Sequence, residues 1–304
     1  MFAVPDHFVR TQDSLNGAEG LAWVTRLPQI LTACARRWDL ALDGPLEPLT
    51  YNYIVGARRA DGTPVIVKAC APAGEFRVQA EALLIFDGRG AARLLEADRA
   101  DEVMLLERCE PGTPLLALED DEEATAIAAS VMREVWRPAP PGHPFPTVGD
   151  WGRGFARLRT RFGGGSGPFP APLVDEAERL FTDLETSMAD PVLLHGDLHH
   201  DNILAADRAP WLAIDPKGLV GEPAYDVGAL LRNRLPAPLV GPEARRALAR
   251  RVDQLSENLG FDRARVRGWA VAQAVLSAWW TVEDHGHGWE RAIACAELLA
   301  SIRG

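Results

Sequence analysis

Cysteine is scarce: Cys34, Cys70, Cys109 and Cys295 are scattered over 304 residues. They lack the paired spacing of a metal or redox site and are too few for a disulfide framework, so reduced core thiols are expected. Positive charge is also short, with 32 Lys and Arg against 43 Asp and Glu and a formal charge of −11. That balance argues against a nucleic-acid partner, which requires clustered basic residues, and permits a cationic small molecule. No apolar run is long enough to span a bilayer, because the longest, residues 269–282, is interrupted by Gln273, Ser277 and Thr281. The start, Met1-Phe2-Ala3-Val4-Pro5-Asp6, has no basic stretch ahead of an apolar one; no secretion signal and a cytoplasmic location are the expectation. Internal repeats are absent, as are the dinucleotide and Walker glycine fingerprints. Gly163-Gly164-Gly165-Ser166-Gly167 follows no strand and reads as a surface linker rather than a phosphate cradle.

What is present is a constellation of carboxylates and an amide. Residues 195 to 202 read His-Gly-Asp-Leu-His-His-Asp-Asn, and Asp215 follows Trp211-Leu212-Ala213-Ile214. A carboxylate, an amide and a second carboxylate at a strand end are what a phosphoryl transferase needs to orient a hydroxyl and hold magnesium. Asp197 is the candidate catalytic base, free of a competing metal. Magnesium prefers hard oxygen ligands and keeps several waters, so Asn202 and Asp215 suffice as its protein ligands. Taken singly, Asp and Asn are ordinary turn formers; the combination carries the reading. His195, His199 and His200 also raise zinc, but their spacing does not put two imidazoles on one helical turn and no cysteine is near.

Upstream lies a segment suited to gripping a nucleotide. Residues 50–55 and 64–68 are β-rich and joined across Ala60-Asp61-Gly62, a hairpin signal. Lys68 ends the second strand, where a lysine reaches nucleotide phosphates when a helix carboxylate holds it. Glu81, in the helical pattern from Glu75 to Leu84, is the preferred partner and Glu75 the alternative. Residues 103–108 form an apolar strand running into a turn, so residues 107 to 110, including Glu107 and Cys109, are a candidate hinge whose backbone binds adenine. No glycine precedes Gly56 in the first hairpin strand. Phosphate binding then rests on Lys68 and metal, against the pattern of a protein kinase.

Further helices are expected over residues 18–38 (an adjunct outside the small lobe), 120–136, 151–162, 173–188, 242–259, 263–283 and 289–302. The acids opening residues 120–136 face that helix's own positive end and serve its stability. Acceptor groups are sought in the helical part: Glu283 and Asp284, ending the helix that carries Trp279 and Trp280, are candidates for a guanidinium or ammonium, with His200 a weaker one. His285 and His287 are read as turn residues. A boundary near residue 109 divides the chain into 1–109 and 110–304, and 47% apolar content supports a core of that size.

His-Gly-Asp-Leu-His-His-Asp-Asn-Ile-Leu, Ile-Asp-Pro-Lys-Gly-Leu-Val-Gly-Glu-Pro, Ala-Tyr-Asp-Val and Arg-Arg-Ala-Asp-Gly-Thr-Pro-Val-Ile-Val-Lys resemble the aminoglycoside phosphotransferases. More narrowly, they resemble the branch of streptomycin 6-phosphotransferases and hydroxyurea phosphotransferase, over most of the chain. The resemblance implies an α+β, protein-kinase-like fold with a small β-rich N-lobe and a larger helical C-lobe. It also implies ATP as donor, with GTP left open, and Mg2+. Asp197 matches the family's catalytic aspartate, Asn202 and Asp215 its magnesium ligands and Lys68 its phosphate lysine. Asp226 matches an aspartate that buttresses the catalytic loop, and His195 is counted with it as structural support. Pro216-Lys217-Gly218 stands where kinases carry Phe-Gly, so a flipping activation segment is not expected. The activity implied is phosphorylation of a hydroxyl on a streptomycin-like drug or hydroxyurea, conferring resistance. The residues alone leave open a metabolic sugar or amino-alcohol kinase and a nucleotide-binding regulator without turnover.

Overall fold

The computed structural model describes residues 4–72, 74–235, 239 and 241–302. The chain divides into two compact units, Met1–Gly112 and Thr113–Gly304.

In the first unit, α1 (Asp6–Arg37) turns at Gly17, whose φ of 53° breaks the helix into two segments. The segment before Gly17 lies outside the expected helix. It buries Phe8 and Gln12, and Gln12 donates to the Tyr51 carbonyl at 2.9 Å, a long-range tie that local periodicity does not reveal. Next come β1 (Leu40–Pro45), β2 (Tyr53–Arg59), β3 (Pro64–Ala69), α2 (Glu75–Phe86), β4 (Leu94–Asp98) and β5 (Val103–Glu107). The strands form an antiparallel sheet of order β1-β2-β3-β5-β4. The outer strands β1 and β4 carry little buried apolar surface, which is why no strong alternation marks them in the sequence.

Side chains alternate across this sheet, and each face has its own helix. Trp23, Leu27, Ile30 and Leu31 of α1 share a core with Val55, Val65, Val67 and Leu105. The adjunct helix is therefore part of the unit's main core. On the opposite face, Phe76, Ala80 and Leu83 of α2 pack with Cys70 and Met104. Lys68 lies in register with Met104 and alternates with Val67 and Ala69, so it belongs to the α2 face. It is buried there, at 3% exposure.

The chain leaves the first unit within β6 (Pro111–Pro114). The second unit begins with α3 (Asp121–Val135), whose N-cap Asp120 accepts the N–H groups of Glu122 and Glu123. α4 (Val148–Arg161) opens with a reciprocal capping box between Thr147 and Asp150. It is followed by α5 (Ala171–Thr186), β7 (Val192–Leu194), β8 (Ile203–Ala206), β9 (Trp211–Ala213) and β10 (Leu219–Gly221). The chain ends with α6 (Pro223–Arg232), α7 (Pro242–Leu259), α8 (Arg263–His285) and α9 (Glu290–Ser301). β8 and β9 form a hairpin, and β7 pairs antiparallel with β10.

α8 is the central helix, packed by α4, α5, α6, α7 and α9. Its run from Trp269 to Leu276 is buried on every side, as expected of a helix apolar all round. The four cysteines are buried thiols. Among the described residues, no helix is long and apolar enough to cross a membrane.

Candidate active site

The stretch after β7 is held by one buried carboxylate. Asp226, in the first turn of α6 and fully buried, accepts the backbone N–H of His195 at 3.0 Å and of Gly196 at 2.8 Å. The indole Nε1 of Trp136 donates to the same carboxylate at 3.0 Å. Burial pushes the Asp226 carboxyl above its ordinary pKa, opposed by His195, Trp136 and the two amides. His195, also fully buried, is pushed below the usual imidazole range by desolvation, so its ring is neutral. Its Nε2 donates to the Ile214 carbonyl at 2.8 Å, and its Nδ1 accepts the Asp197 N–H at 3.3 Å. Each ring nitrogen thus fixes one flank of the site, and the tautomer follows from the two partners.

The loop beyond Gly196 folds onto itself through Asn202. Asn202 Nδ2 donates to the Asp197 carbonyl at 2.9 Å. A carbonyl can only accept, so the amide orientation is settled and Oδ1 is the atom available for a cation. Ile214 N–H donates to the Asn202 carbonyl at 2.9 Å, which draws the Asp215 segment beside Asn202.

Asp215 itself adopts a left-handed backbone, φ 61°, a conformation that Asp tolerates better than most residues and that recurs at functional sites. His199 lies 3.7 Å from the Asp197 carboxylate and 3.4 Å from that of Asp201. Asp197, Asn202 and Asp215 therefore converge on one loop cluster, with Asp197 and Asp215 partly exposed.

The far end of this loop is anchored from α7. Asn233 Nδ2 donates to Asp201 Oδ2 at 3.1 Å. Arg251, 3% exposed, donates to the carbonyls of Asn233 and Arg234 at 2.9 and 2.8 Å. Its guanidinium also engages both oxygens of Asp121. Burial works to raise the Asp121 carboxyl, yet hydrogen bonds and charge from Arg251 and Arg250 carry it below its ordinary value.

The oxygen chemistry fits magnesium: one carboxylate and one oriented amide oxygen supply hard ligands, leaving further positions for phosphate and water. Among the described residues, no group of three His, Cys, Asp or Glu is placed to hold a metal. The zinc alternative loses its geometry as well. His195 is turned to the Ile214 carbonyl, and His200 is buried in the surroundings of Arg251, with its pKa pushed down to about 4, chiefly by desolvation.

Several expected contacts take another form. His200, a candidate substrate ligand by sequence, is fully buried within the loop. Glu283 is engaged by Arg157, whose Nε and Nη2 donate to its two oxygens, each at 2.8 Å; its charge is neutralised by a neighbour on α4. Asp284 is exposed beside it at the end of α8. In the first unit, Glu81 accepts from Arg99 at 2.9 Å, so an arginine engages the carboxylate expected for Lys68. Glu107 Oε2 accepts the Arg93 N–H at 2.9 Å, and Cys109 is buried.

Sequence reasoning missed Trp136, Asn233 and Arg251, because each acts through contacts distant in the chain. It also missed Trp151. A side chain at Gly196 would lie 3.4 Å from Trp151 Cη2, so this ring borders the residue just before Asp197. Trp151 in turn meets Trp280 edge-on, at 5.3 Å between centroids.

Comparison with known proteins agrees with this architecture. A family model described as aminoglycoside/hydroxyurea antibiotic resistance kinase matches residues 37–285. The chain is 34% identical over 300 residues to a streptomycin 6-kinase of Streptomyces griseus, covering 92% of this chain and 91% of that one. It is also 34% identical over 312 residues to a hydroxyurea phosphotransferase of Kitasatospora aureofaciens, covering 99% and 87%. Among solved structures, it is similar to a thermostable mutant of an aminoglycoside phosphotransferase in ternary complex with ADP and hygromycin B. That likeness has a TM-score of 0.63 at 14% identity and covers 92% of this chain and 99% of the other. The fold is the protein-kinase-like one, α+β, with a β-rich N-terminal unit and a helical C-terminal unit.

Proposed function

The chain belongs to the aminoglycoside/hydroxyurea antibiotic resistance kinase family, and from that premise we propose that it transfers phosphate from ATP to a hydroxyl of a streptomycin-like aminoglycoside or of hydroxyurea. The setting is the cytoplasm, and the consequence is drug inactivation. The observation that carries this reading is the wiring of the loop after β7: Asp226 fixes the amides of His195 and Gly196, and Asn202 is oriented by the Asp197 carbonyl.

In this reading Asp197 accepts a hydrogen bond from the acceptor hydroxyl, points it along the line of attack and takes its proton late in the transfer. Asn202 Oδ1 and the Asp215 carboxylate would hold Mg2+, which would neutralise charge on the nucleotide phosphates. Lys68 serves the phosphates, and the backbone of residues 107 to 110 receives the adenine. His195 and Asp226 touch no substrate; they hold the loop.

The test is incubation of the purified protein with Mg2+, ATP or GTP, and streptomycin or hydroxyurea, followed by mass spectrometry for a phosphate adduct. An adduct on either compound is expected, and Asp197→Asn lowers its rate by about 10²–10⁴-fold while nucleotide affinity is kept. No adduct on either compound rejects the drug assignment. Equal rates in the wild type and Asp197→Asn reject the role of the aspartate.

A further inference from the structure

An aromatic row crosses the helical unit and reaches Trp151, which borders Gly196 of the catalytic loop, and then Trp280. Its buried part is Phe181 against Trp269 and Trp269 against Tyr225, with centroids 5.4 and 5.2 Å apart. Tyr225 then meets Trp151 at 6.2 Å, and Trp151 meets Trp280 at 5.3 Å with an interplanar angle of 77°. Tyr225 and Trp269 are fully buried, whereas Trp151 and Trp280 are only partly so. The row is therefore anchored in the core at one end and open to solvent at the other.

Two glycines position this open end, one against the catalytic loop and one between α4 and α8. At Gly196, φ 86°, the space of a side chain is bounded by Trp151 Cη2 at 3.4 Å and Lys217 Cβ at 3.1 Å. At Gly154 the absent side chain lets α8 close on α4, with Trp280 Nε1 3.4 Å from the Cβ position. The capping box of Thr147 and Asp150 fixes the first turn of α4, which carries Trp151.

The surrounding charges limit what can bind a cation here. Glu283 is occupied through both oxygens by Arg157. The broad cavity farther along α4 is lined by Arg153, Arg157 and Arg161 together with Glu283; Arg153 pairs with Asp150 and Arg157 with Glu283, so its lining carboxylate is already engaged by an arginine. Next to Gly196, the helical unit instead offers the partly exposed, edge-to-face pair of Trp151 and Trp280, and an indole face attracts guanidinium and ammonium groups.

Resting on the kinase reading above, we infer that Trp151 and Trp280 form the acceptor platform and hold a cationic acceptor against their rings, with no direct contact from Glu283. The rings orient the acceptor so that a hydroxyl reaches Asp197. An uncharged acceptor such as hydroxyurea uses the platform only as an apolar floor.

The experiment compares wild type, Trp280→Leu, Trp151→Leu and Trp280→Phe. Steady-state kinetics are measured with streptomycin, which carries guanidinium groups, and tryptophan emission is followed as streptomycin is added without nucleotide. Streptomycin KM is expected to rise about tenfold in the leucine variants and less in Trp280→Phe, which keeps an aromatic face. A quench is expected in wild type and a smaller one in Trp280→Phe, the variant that keeps the packing should a leucine variant fail to fold. A KM within twofold of wild type in the leucine variants, or an undiminished quench in Trp280→Phe, overturns the platform. The two readings fail differently. Turnover with unchanged KM sinks the platform alone, quenching at Trp280 without a phosphate adduct sinks the kinase assignment alone, and neither quench nor turnover sinks both.

Discussion

Replacing Asp226 tests how the catalytic loop is held. Its two oxygens receive three donors: His195 N–H and Trp136 Nε1 on Oδ2, and Gly196 N–H on Oδ1. Asparagine has one oxygen, so in either orientation its amide NH2 is directed at a donor. With Oδ1 toward His195 and Trp136 the Gly196 N–H is orphaned, and with the amide reversed two donors are. Each unsatisfied buried donor costs about 1–3 kcal/mol. The charge on Asp226 is itself disfavoured by burial, and its removal offsets part of that cost, giving a net loss of about 2 kcal/mol for Asp226→Asn. Asp226→Ala orphans all three donors and is expected to cost about twice as much or more. Urea unfolding followed by circular dichroism reads these values, and kcat reads the loop. We expect kcat to fall in both variants while ATP affinity changes little, because these hydrogen bonds run to the catalytic loop and Trp136 rather than to a nucleotide-binding candidate. Asp226→Asn with wild-type stability and kcat, or Asn and Ala variants equal in stability, refutes the argument.

Arg251→Met leaves Asp121 without its most buried partner and frees the carbonyls of Asn233 and Arg234; a loss of about 3 kcal/mol is expected by thermal or urea unfolding, and no loss would count against the anchor. Asp121 has a folded-state pKa below its ordinary value of 3.8, so its contribution is present above about pH 4 and is lost as pH falls through the folded pKa. Stability profiles of wild type and Asp121→Asn should therefore converge below pH 4, and parallel profiles there speak against the ion pair. Gly196→Ala combines a φ of 86° with a Cβ only 3.1 Å from that of Lys217; a destabilisation of about 1–2 kcal/mol is expected, together with reduced kcat. Asn202→Ala is expected to raise the Mg2+ concentration needed for half-maximal turnover, measured by metal titration after EDTA treatment; an unchanged requirement removes Asn202 from the metal.

The candidate site's arrangement was legible because its groups lie close together in the chain. Asp197, Asn202 and Asp215 fall within one β-loop-β-β stretch, so their spacing encodes their convergence. The fold was legible where periodicity is strong: the hairpin of β2 and β3, the amphipathic α2, and the apolar α8 all follow from local pattern. Weakly buried β1 and β4 carry no such pattern, and β10 is a three-residue strand whose pairing with β7 is a tertiary fact. Charged side chains were the hardest to place. Glu81 was read as the partner of Lys68 and Glu283 as a ligand for a cationic acceptor, and in the structure an arginine of the same chain engages each, Arg99 and Arg157 respectively. Spacing along a helix says that a carboxylate wants a partner; only the tertiary fold says which.

The attachment of Arg251 gives α7 an influence on turnover out of proportion to its chemistry. One guanidinium holds the peptide after α6 and the first residue of α3, and that peptide holds Asp201 through Asn233. Variants selected only for solubility or heat tolerance will collect changes along α7, whose outer surface looks dispensable. Those that loosen the anchor will slow the enzyme while every group near Asp197 keeps its identity, so a kinetic defect mapped to α7 is a matter of mechanical slack rather than of a lost functional group.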